Sequence, residues 1–163
     1  MTAPSDRRDK RGDIARSRAR LATVQALYQM DLAETDLIEV IEEFKQHRLS
    51  GSSDGSGMAD ADLEHFAQVL RGVVQRQREI DPLIDQQLAT GWRLARIDSI
   101  VRAILRAATF ELIELPEVPA RVVISEYIEV ARAFFEGDEP KLVNGVLDQL
   151  ARKLRPGTLP ERG

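Results

Sequence analysis

The chain has 163 residues, of which 43% are hydrophobic and 31% charged, with a net charge of −4 and no cysteine. This length suits one helical domain or two small sub-bundles, and the absence of cysteine excludes disulfides, thiolate metal sites and thiol nucleophiles. No apolar run reaches the roughly 20 residues of a membrane span or follows the basic N-terminus as in a signal peptide, so we expect a cytoplasmic protein.

Charge is distributed unevenly along the chain. Residues 1–20 carry seven basic and three acidic groups, whereas the rest carries 16 basic and 24 acidic groups. This asymmetry is typical of an arm that binds a polyanion such as nucleic acid, and a frayed, solvated terminus has the same composition. Because residues 1–12 have no periodic apolar positions, we expect them to form a flexible basic arm.

The first predicted helix runs from Asp13, a suitable N-cap, to about Ala33. A core-facing stripe recurs at helical spacing and consists of Ile14, Leu21, Val24 and Tyr28. Polar residues border this stripe on both sides: Arg11, Arg18 and Gln25 along one edge, Arg16 and Arg20 along the other. A face of small residues, Ala15, Ala19, Ala22 and Ala26, would allow a second helix to approach closely.

Two further helices are predicted over residues 36–48 and from residue 60 or 62 to 79. The segment 50–58 between them consists almost entirely of Ser, Gly and Asp, so it has little apolar area to offset the entropy of ordering. We expect a mobile loop there. Asp81 and Pro82 predict the start of a fourth helix, Gly91 its end, and Trp92 a packing anchor.

The most apolar helix is predicted over residues 97–115 and is the candidate central member of the core. Arg102 and Arg106 form a like-charge pair on its opposite face, so either neighbouring acids neutralise them or they extend a phosphate-binding surface. Two more helices follow, the first after Pro119 and the last over residues 138–154. Gly145, inside the last helix, predicts close backbone contact. No strand pattern of useful length occurs, so the predicted fold is all-α.

Catalytic and metal-binding signatures are absent from the sequence. His47 and His65 lie on different predicted helices without a ligand-spaced partner, which favours surface or boundary positions over metal ligands. There is no glycine-rich phosphate loop and no Ser/His/Asp signature. We therefore expect a protein that is not an enzyme and has neither a metal nor another cofactor.

Four stretches together resemble the NusB family of bacterial transcription antitermination factors. They are Ala15-Arg-Ser-Arg-Ala-Arg20 leading into Val24-Gln-Ala-Leu-Tyr-Gln-Met-Asp31, Ile104-Leu-Arg-Ala-Ala-Thr-Phe-Glu-Leu112, Val123-Ile-Ser-Glu-Tyr-Ile-Glu-Val-Ala131 and Lys141-Leu-Val-Asn-Gly-Val-Leu-Asp148. The stretches occur in the family's order, and the last, with Asn-Gly inside the final helix, is the most specific.

The resemblance implies a NusB-like fold of about seven helices in two packed three-helix sub-bundles, as a single domain over residues 13–155 with a flexible tail at 156–163. It implies binding of boxA, a short single-stranded RNA element, together with NusE, a small-subunit ribosomal protein. With the transcription elongation complex, this pair would promote processive transcription of ribosomal RNA operons.

The resemblance also indicates the residues of the RNA-binding surface. On the first helix they are Arg11, Arg16, Arg18, Arg20 and Gln25, and at the start of the last helix they are Asp138, Lys141 and Asn144. Tyr28 matches a tyrosine associated with NusE binding, although periodicity alone makes it a core residue. Three positions depart from the family: Leu142 replaces a common phenylalanine, Phe110 a common tyrosine, and Pro140 a flexible residue.

Two other functions fit the sequence. One is a protein-interaction module whose basic arm contacts an acidic partner. The other is the RNA-binding domain of ribosomal RNA cytosine methyltransferases, which shares this fold but precedes a catalytic domain. A third alternative concerns assembly rather than function: some NusB proteins form homodimers, and such a dimer would cover the arginine surface.

Overall fold

The computed structural model describes the backbone of residues 3–51, 62–89 and 93–160, and side chains over 12–46, 62–89 and 93–160. Within these ranges the chain forms helices and no β-strand, so the predicted all-α class is confirmed. The helices are α1 (Ala3–Ala33), α2 (Leu37–Gly51), α3 (Leu63–Asp85), α4 (Ser99–Glu114), α5 (Ala120–Phe134) and α6 (Glu139–Leu154), with a short 3-10 helix at Leu94–Arg96. The contacts divide the chain into two units, residues 1–71 and 72–163, with the boundary inside α3.

Helix α3 combines two helices that were predicted separately, which is why six α-helices rather than seven occur in the described ranges. The predicted break at Asp81 and Pro82 is wrong, because the helix continues through Pro82 to Asp85. The backbone instead leaves helical geometry at Arg76 (φ −113°, ψ 16°). A proline inside a helix lacks an N–H donor and crowds the preceding turn, so a nearby kink is expected.

Helix α1 begins at Ala3, well before the predicted cap at Asp13. Its buried face includes the predicted alanines at 19, 22 and 26, together with Val24 and Leu27. The predicted inward position of Ile14 is wrong, since this side chain is 51% exposed. The predicted flexibility of residues 1–12 and 156–163 concerns motion in solution and stays a prediction.

The first unit has its core between α1, α2 and the start of α3. The rings of Phe44 and Phe66 stack with centroids 5.0 Å apart. Val40, Ile41, Val69 and Leu70 are buried around them. His65, predicted at the surface or boundary, is buried at 4% exposure because it follows the N-cap of α3 on the inward side of the helix.

Several sequence predictions fall on residues whose side chains the structure does not describe. They concern His47, Gly91, Trp92 and most of the 50–58 loop, of which only residues 50 and 51 have described, helical backbone.

In the second unit α4, α5 and α6 pack against one another. Asp98 caps α4, because its carboxylate accepts hydrogen bonds from the N–H groups of Ile100 (2.7 Å) and Val101 (3.3 Å). Most apolar residues of α4, including Ile104 and Leu105, are buried, which confirms its central position.

The paired arginines of α4 are engaged within the second unit. Arg106 forms a two-pronged ion pair with Asp81, with both N–O distances 2.9 Å. Arg102 donates to the carbonyls of Leu94 and Ala95, each at 3.2 Å. The expectation that a neighbouring acid neutralises the pair is thus confirmed for Arg106, whereas Arg102 donates hydrogen bonds to backbone carbonyls.

Arg155, immediately after α6, holds the chain segment that follows α4. Its guanidinium donates to the carbonyls of Glu111 (3.0 Å), Leu112 (2.9 Å), Leu115 (2.8 Å) and Val118. The carbonyls of Glu111 and Leu115 also accept backbone N–H bonds, from Leu115 and Val118, so Arg155 is a second donor to them. The last carbonyls of a helix lack some of their helical partners, and Arg155 supplements the hydrogen bonding at this end of α4. Burial lowers the pKa of this guanidinium, against the opposite effect of nearby carboxylates.

Candidate nucleic-acid interface

The arginines of α1 differ in how far they reach solvent. Arg16 has a side chain that is 44% exposed, Arg18 is half-buried, and Arg20 is only 2% exposed. Arg20 shares one helix face with Thr23, Val24 and Leu27, which are all buried. Arg16 and Arg18, predicted on opposite edges of the apolar stripe, therefore both reach solvent, whereas the prediction that Arg20 borders the stripe on an exposed edge is wrong.

Arg16 has an acidic neighbour that the sequence analysis did not identify. Its Nε lies 3.9 Å from a carboxylate oxygen of Asp62, whose side chain is 31% exposed. Asp62 is held in place because its N–H donates to the carbonyl of Ala15 (2.9 Å) and its Oδ1 accepts from the N–H of His65 (2.9 Å). An exposed pair at this distance contributes little to stability, so Arg16 can exchange Asp62 for a phosphate.

The remaining predicted residues of α1 occupy different environments. Gln25 is exposed two turns after Arg18, as the predicted edge requires. Tyr28 is half-buried, one turn further along. The side chain of Arg11 lies outside the described part of the chain.

The predicted residues of the last helix lie where α6 begins. Asp138 precedes the helix and makes no side-chain capping bond, while its carbonyl accepts from the N–H groups of Lys141 (3.0 Å) and Leu142 (3.2 Å). Lys141 and Asn144 are both exposed and one turn apart, so they share a face. This end of the second unit therefore presents a carboxylate, an ammonium group and an amide to solvent.

Gly145 does not have the close contact predicted for it. A Cβ built on this residue would meet no described atom within 4 Å, because α6 buries other positions and turns residue 145 outward. Leu142, one turn earlier, is likewise 39% exposed. Packing within the described residues thus gives no reason for a glycine at this position.

A groove of about 310 Å³ runs beside Asn144 between α5 and α6. Its lining combines polar and apolar side chains: Arg121, Ile124, Ser125, Ile128, Glu129, Arg132, Asn144, Asp148 and Leu159. None of the sequence predictions concerns this face of α5. The exposed series Arg121, Ser125 and Arg132, which shares one side of that helix, was the signal that could have identified the groove.

The predicted site residues therefore form two groups. Arg16, Arg18 and Gln25 belong to the first unit, and Asp138, Lys141 and Asn144 to the second. Within the described ranges, no group of three or more histidine or acidic side chains could hold a metal ion. No helix of that part of the chain is long and apolar enough to cross a membrane.

Comparison with known proteins gives consistent matches over most of the chain. The model of the NusB family matches residues 17–152. A transcription antitermination protein NusB from Bartonella tribocorum is 54% identical over 140 residues, which cover 86% of this chain and 90% of that protein.

Two solved structures have a similar fold. The T. maritima NusB structure is 31% identical with a TM-score of 0.70, covering 84% of this chain and 90% of that one. NusB in a crystal structure with NusE and double-stranded RNA is 24% identical with a TM-score of 0.67, covering 84% and 96%. The second likeness concerns the fold alone.

Proposed function

This chain belongs to the NusB family, whose matched relatives are transcription antitermination proteins rather than enzymes, and we propose that it binds boxA-type single-stranded RNA together with NusE. In this proposal the RNA-bound pair joins the transcription elongation complex in the cytoplasm and promotes processive transcription of ribosomal RNA operons. The 54% identity to a Bartonella antitermination protein favours an antitermination protein over the RNA-binding domain of a methyltransferase.

The observation that carries the proposal is the exposure of polar groups at both positions where the family resemblance places RNA contacts. Arg16 and Gln25 reach solvent on α1, and Lys141 and Asn144 do so on the first turns of α6. Arg18, also on α1, is half-buried. Arg20, with 2% exposure, is assigned a role inside the protein and no phosphate contact.

The two groups would divide the work of recognition. Guanidinium groups suit bidentate contact with phosphate, so Arg16 and Arg18 would neutralise the RNA backbone without reading sequence. The amide of Asn144 has both donors and acceptors and can pair with the edge of an unstacked base. The carboxylate of Asp138 can accept from an exocyclic amino group, so sequence preference would come mostly from α6.

Leu142 changes the stacking part of this mechanism. An aromatic side chain provides a platform on which a base stacks, typically worth about 1–3 kcal/mol. A leucine, here 39% exposed, offers apolar contact but no aromatic face. We therefore expect modest affinity for RNA alone, and the net charge of −4 also opposes indiscriminate binding. NusE would supply the remaining affinity.

The test is a titration of the purified chain into a labelled RNA that carries the organism's own leader element, with and without NusE. Fluorescence anisotropy would report binding, and a scrambled RNA of equal length would serve as the control. The expected result is a joint complex tighter than either pair and selective for the leader sequence. Equal affinity for both RNAs in the presence of NusE would contradict the proposal.

A further inference from the structure

We infer that a cavity beside the C-terminal end of α6 is a binding site for a small amphipathic anion, namely an aliphatic carboxylate of medium chain length. The cavity has a volume of about 930 Å³, and the residues that line it all belong to the second unit. Leu154, one of these residues, lies about 20 Å along α6 from Lys141, at 1.5 Å of rise per residue. The site is therefore separate from the groups assigned to RNA, and the inference does not rest on the proposed function.

The lining of this cavity is mostly apolar. Leu112 and Ala120 are buried, whereas Ile113, Leu154 and Leu159 are half-buried beside the open volume. Three prolines complete the apolar part of the lining. Small-molecule sites typically have volumes of about 300–1,000 Å³ and are lined mainly by apolar side chains. The cavity therefore has the size and the lining of a ligand site.

The tail after α6 forms one side of the cavity. Gly157 adopts a left-handed conformation (φ 83°), which lets the chain turn as it leaves the helix. Thr158 donates both its backbone N–H (3.2 Å) and its hydroxyl (2.7 Å) to the carbonyl of Arg155. Leu159 follows this turn and lines the cavity. A cavity that is already formed loses little conformational entropy when a ligand binds, which favours affinity.

Arg121 supplies the charge that selects an anion. Its side chain is exposed and makes no ion pair or hydrogen bond within the described residues. It also lines the groove between α5 and α6, so it lies at the edge of the cavity. No described residue of the lining is acidic. The planar guanidinium of Arg121 is therefore available for a two-pronged pair with a carboxylate.

The other polar side chains of the lining favour a ligand with only one polar end. Arg155 donates to four backbone carbonyls and interacts electrostatically with Glu111 and Glu117, and the hydroxyl of Thr158 is likewise bonded. A peptide would bring an N–H and a carbonyl with each residue, and such groups are costly to bury without partners. An alkyl chain has no such groups and gains from apolar walls. The lining therefore fits an aliphatic carboxylate better than a polypeptide.

The test is a calorimetric titration of sodium decanoate into the full-length chain, with decyltrimethylammonium as a cationic probe of equal chain length. Arg121→Gln removes the charge, and Leu159→Ser removes part of the apolar wall. Matched controls are Arg132→Gln, an exposed arginine of α5 outside the cavity, and Leu142→Ser, a leucine with 39% exposure near the start of α6. Circular dichroism verifies that each variant is folded.

We expect one decanoate per chain, bound about tenfold more weakly by Arg121→Gln and about threefold or more weakly by Leu159→Ser, with both controls within about twofold of the original chain. Decyltrimethylammonium should bind at least about tenfold more weakly than decanoate, because its charge is repelled by the arginine. In NMR spectra, decanoate should shift the backbone amide signals of Ala120 and Thr158.

Three results would overturn the inference: no saturable binding of decanoate, equal affinity for the two probes, or unchanged decanoate binding by a folded variant of Arg121 or Leu159. Arg121 is exposed, so its variant decides the outcome even if Leu159→Ser does not fold.

Other occupants of the cavity have distinct outcomes. A six-residue peptide of leucine and alanine with a free C-terminal carboxylate is titrated in the same way. If it binds more tightly than decanoate and depends on Arg121, the occupant is the end of a polypeptide. Self-association that light scattering detects and Leu159→Ser abolishes would identify a second copy of the chain. Either result would overturn the assignment to a small anion.

Discussion

The ring of Phe110 on α4 occupies the space where a side chain at position 72 of α3 would begin. A Cβ built on Gly72 would lie 2.0 Å from Cε2 of Phe110, much closer than two carbon atoms can approach. Gly72 is buried and Phe110 is 5% exposed, so neither residue has free space on its solvent side. The glycine therefore permits the close approach of α3 and α4 in the second unit.

We predict that Gly72→Ala lowers the free energy of unfolding by about 1–3 kcal/mol, because overpacking forces the aromatic ring or the helices to move. In an open helical position the same substitution would stabilise by about 1 kcal/mol, so the sign of the change is diagnostic. Urea unfolding followed by circular dichroism measures it. A stabilised Gly72→Ala variant would contradict the close contact with Phe110.

Gly145→Ala is the matched control for this experiment. Both glycines lie within helices, but a Cβ at position 145 meets no described atom within 4 Å. This variant should be more stable by up to about 1 kcal/mol. Phe110→Ala should also reduce the penalty of Gly72→Ala, since the clashing ring is then absent.

Arg155→Lys should lower the free energy of unfolding by about 2–4 kcal/mol. Lysine carries one ammonium group and cannot serve all four carbonyls that the planar guanidinium serves. The carbonyls of Glu111 and Leu115 would keep their backbone N–H donors, whereas those of Leu112 and Val118 would lose a strong donor. Thermal and urea unfolding would measure the loss. Arg132→Lys, an exposed residue paired with Glu129 on the same helix, should change stability by less than about 0.5 kcal/mol; similar losses for both variants would argue against a special role for Arg155.

The double variant Arg16→Ala with Arg18→Ala should weaken RNA binding and its salt dependence together. Each phosphate contact to a single strand contributes about −0.7 to the slope of log K against log salt, so the slope should become shallower by about 1.4 if both arginines contact phosphates. Anisotropy titrations at several salt concentrations measure this. Arg93→Ala with Arg96→Ala removes the same charge from exposed positions of the second unit. An equal change in slope for both double variants would reject specific contacts from α1.

Asp62→Asn should raise RNA affinity by a few-fold. The substitution removes the carboxylate charge 3.9 Å from Arg16, and an asparagine can still accept the hydrogen bond from the N–H of His65 that caps α3. An exposed ion pair is typically worth about 0–1 kcal/mol, which limits the gain. RNA affinity should respond without a matching change in melting temperature. A reduced affinity with intact stability would show that Asp62 assists binding.

Periodicity predicted where most helices lie because each one buries an apolar face, and the central position of α4 follows from its composition. Periodicity was less successful on the orientation of α1. It predicted Ile14 in the core and Arg20 at a solvent-exposed edge, whereas Ile14 is exposed and Arg20 is buried. Alanine-rich helices have a weak apolar stripe, so the buried face is set by close helix packing rather than by large side chains. Burial of an arginine also depends on partners that a one-dimensional pattern cannot reveal.

The candidate site was predictable only in part for a related reason. Resemblance indicated Lys141 and Asn144, which the structure places in solvent, but it could not show that Asp62 faces Arg16 across 46 positions of sequence. Gly145 illustrates the opposite case. Its cost to helix stability is evident in the sequence, yet the predicted contact is absent from the described residues.

The bonds made by Arg155 also affect the order in which the protein can finish folding. The guanidinium is placed 44 residues after Glu111, one of the carbonyls that it serves. Because a ribosome synthesises the chain from its N-terminus, α4 and α5 emerge before the guanidinium that later binds these carbonyls. The second unit should therefore complete its structure late, after translation has reached the end of α6.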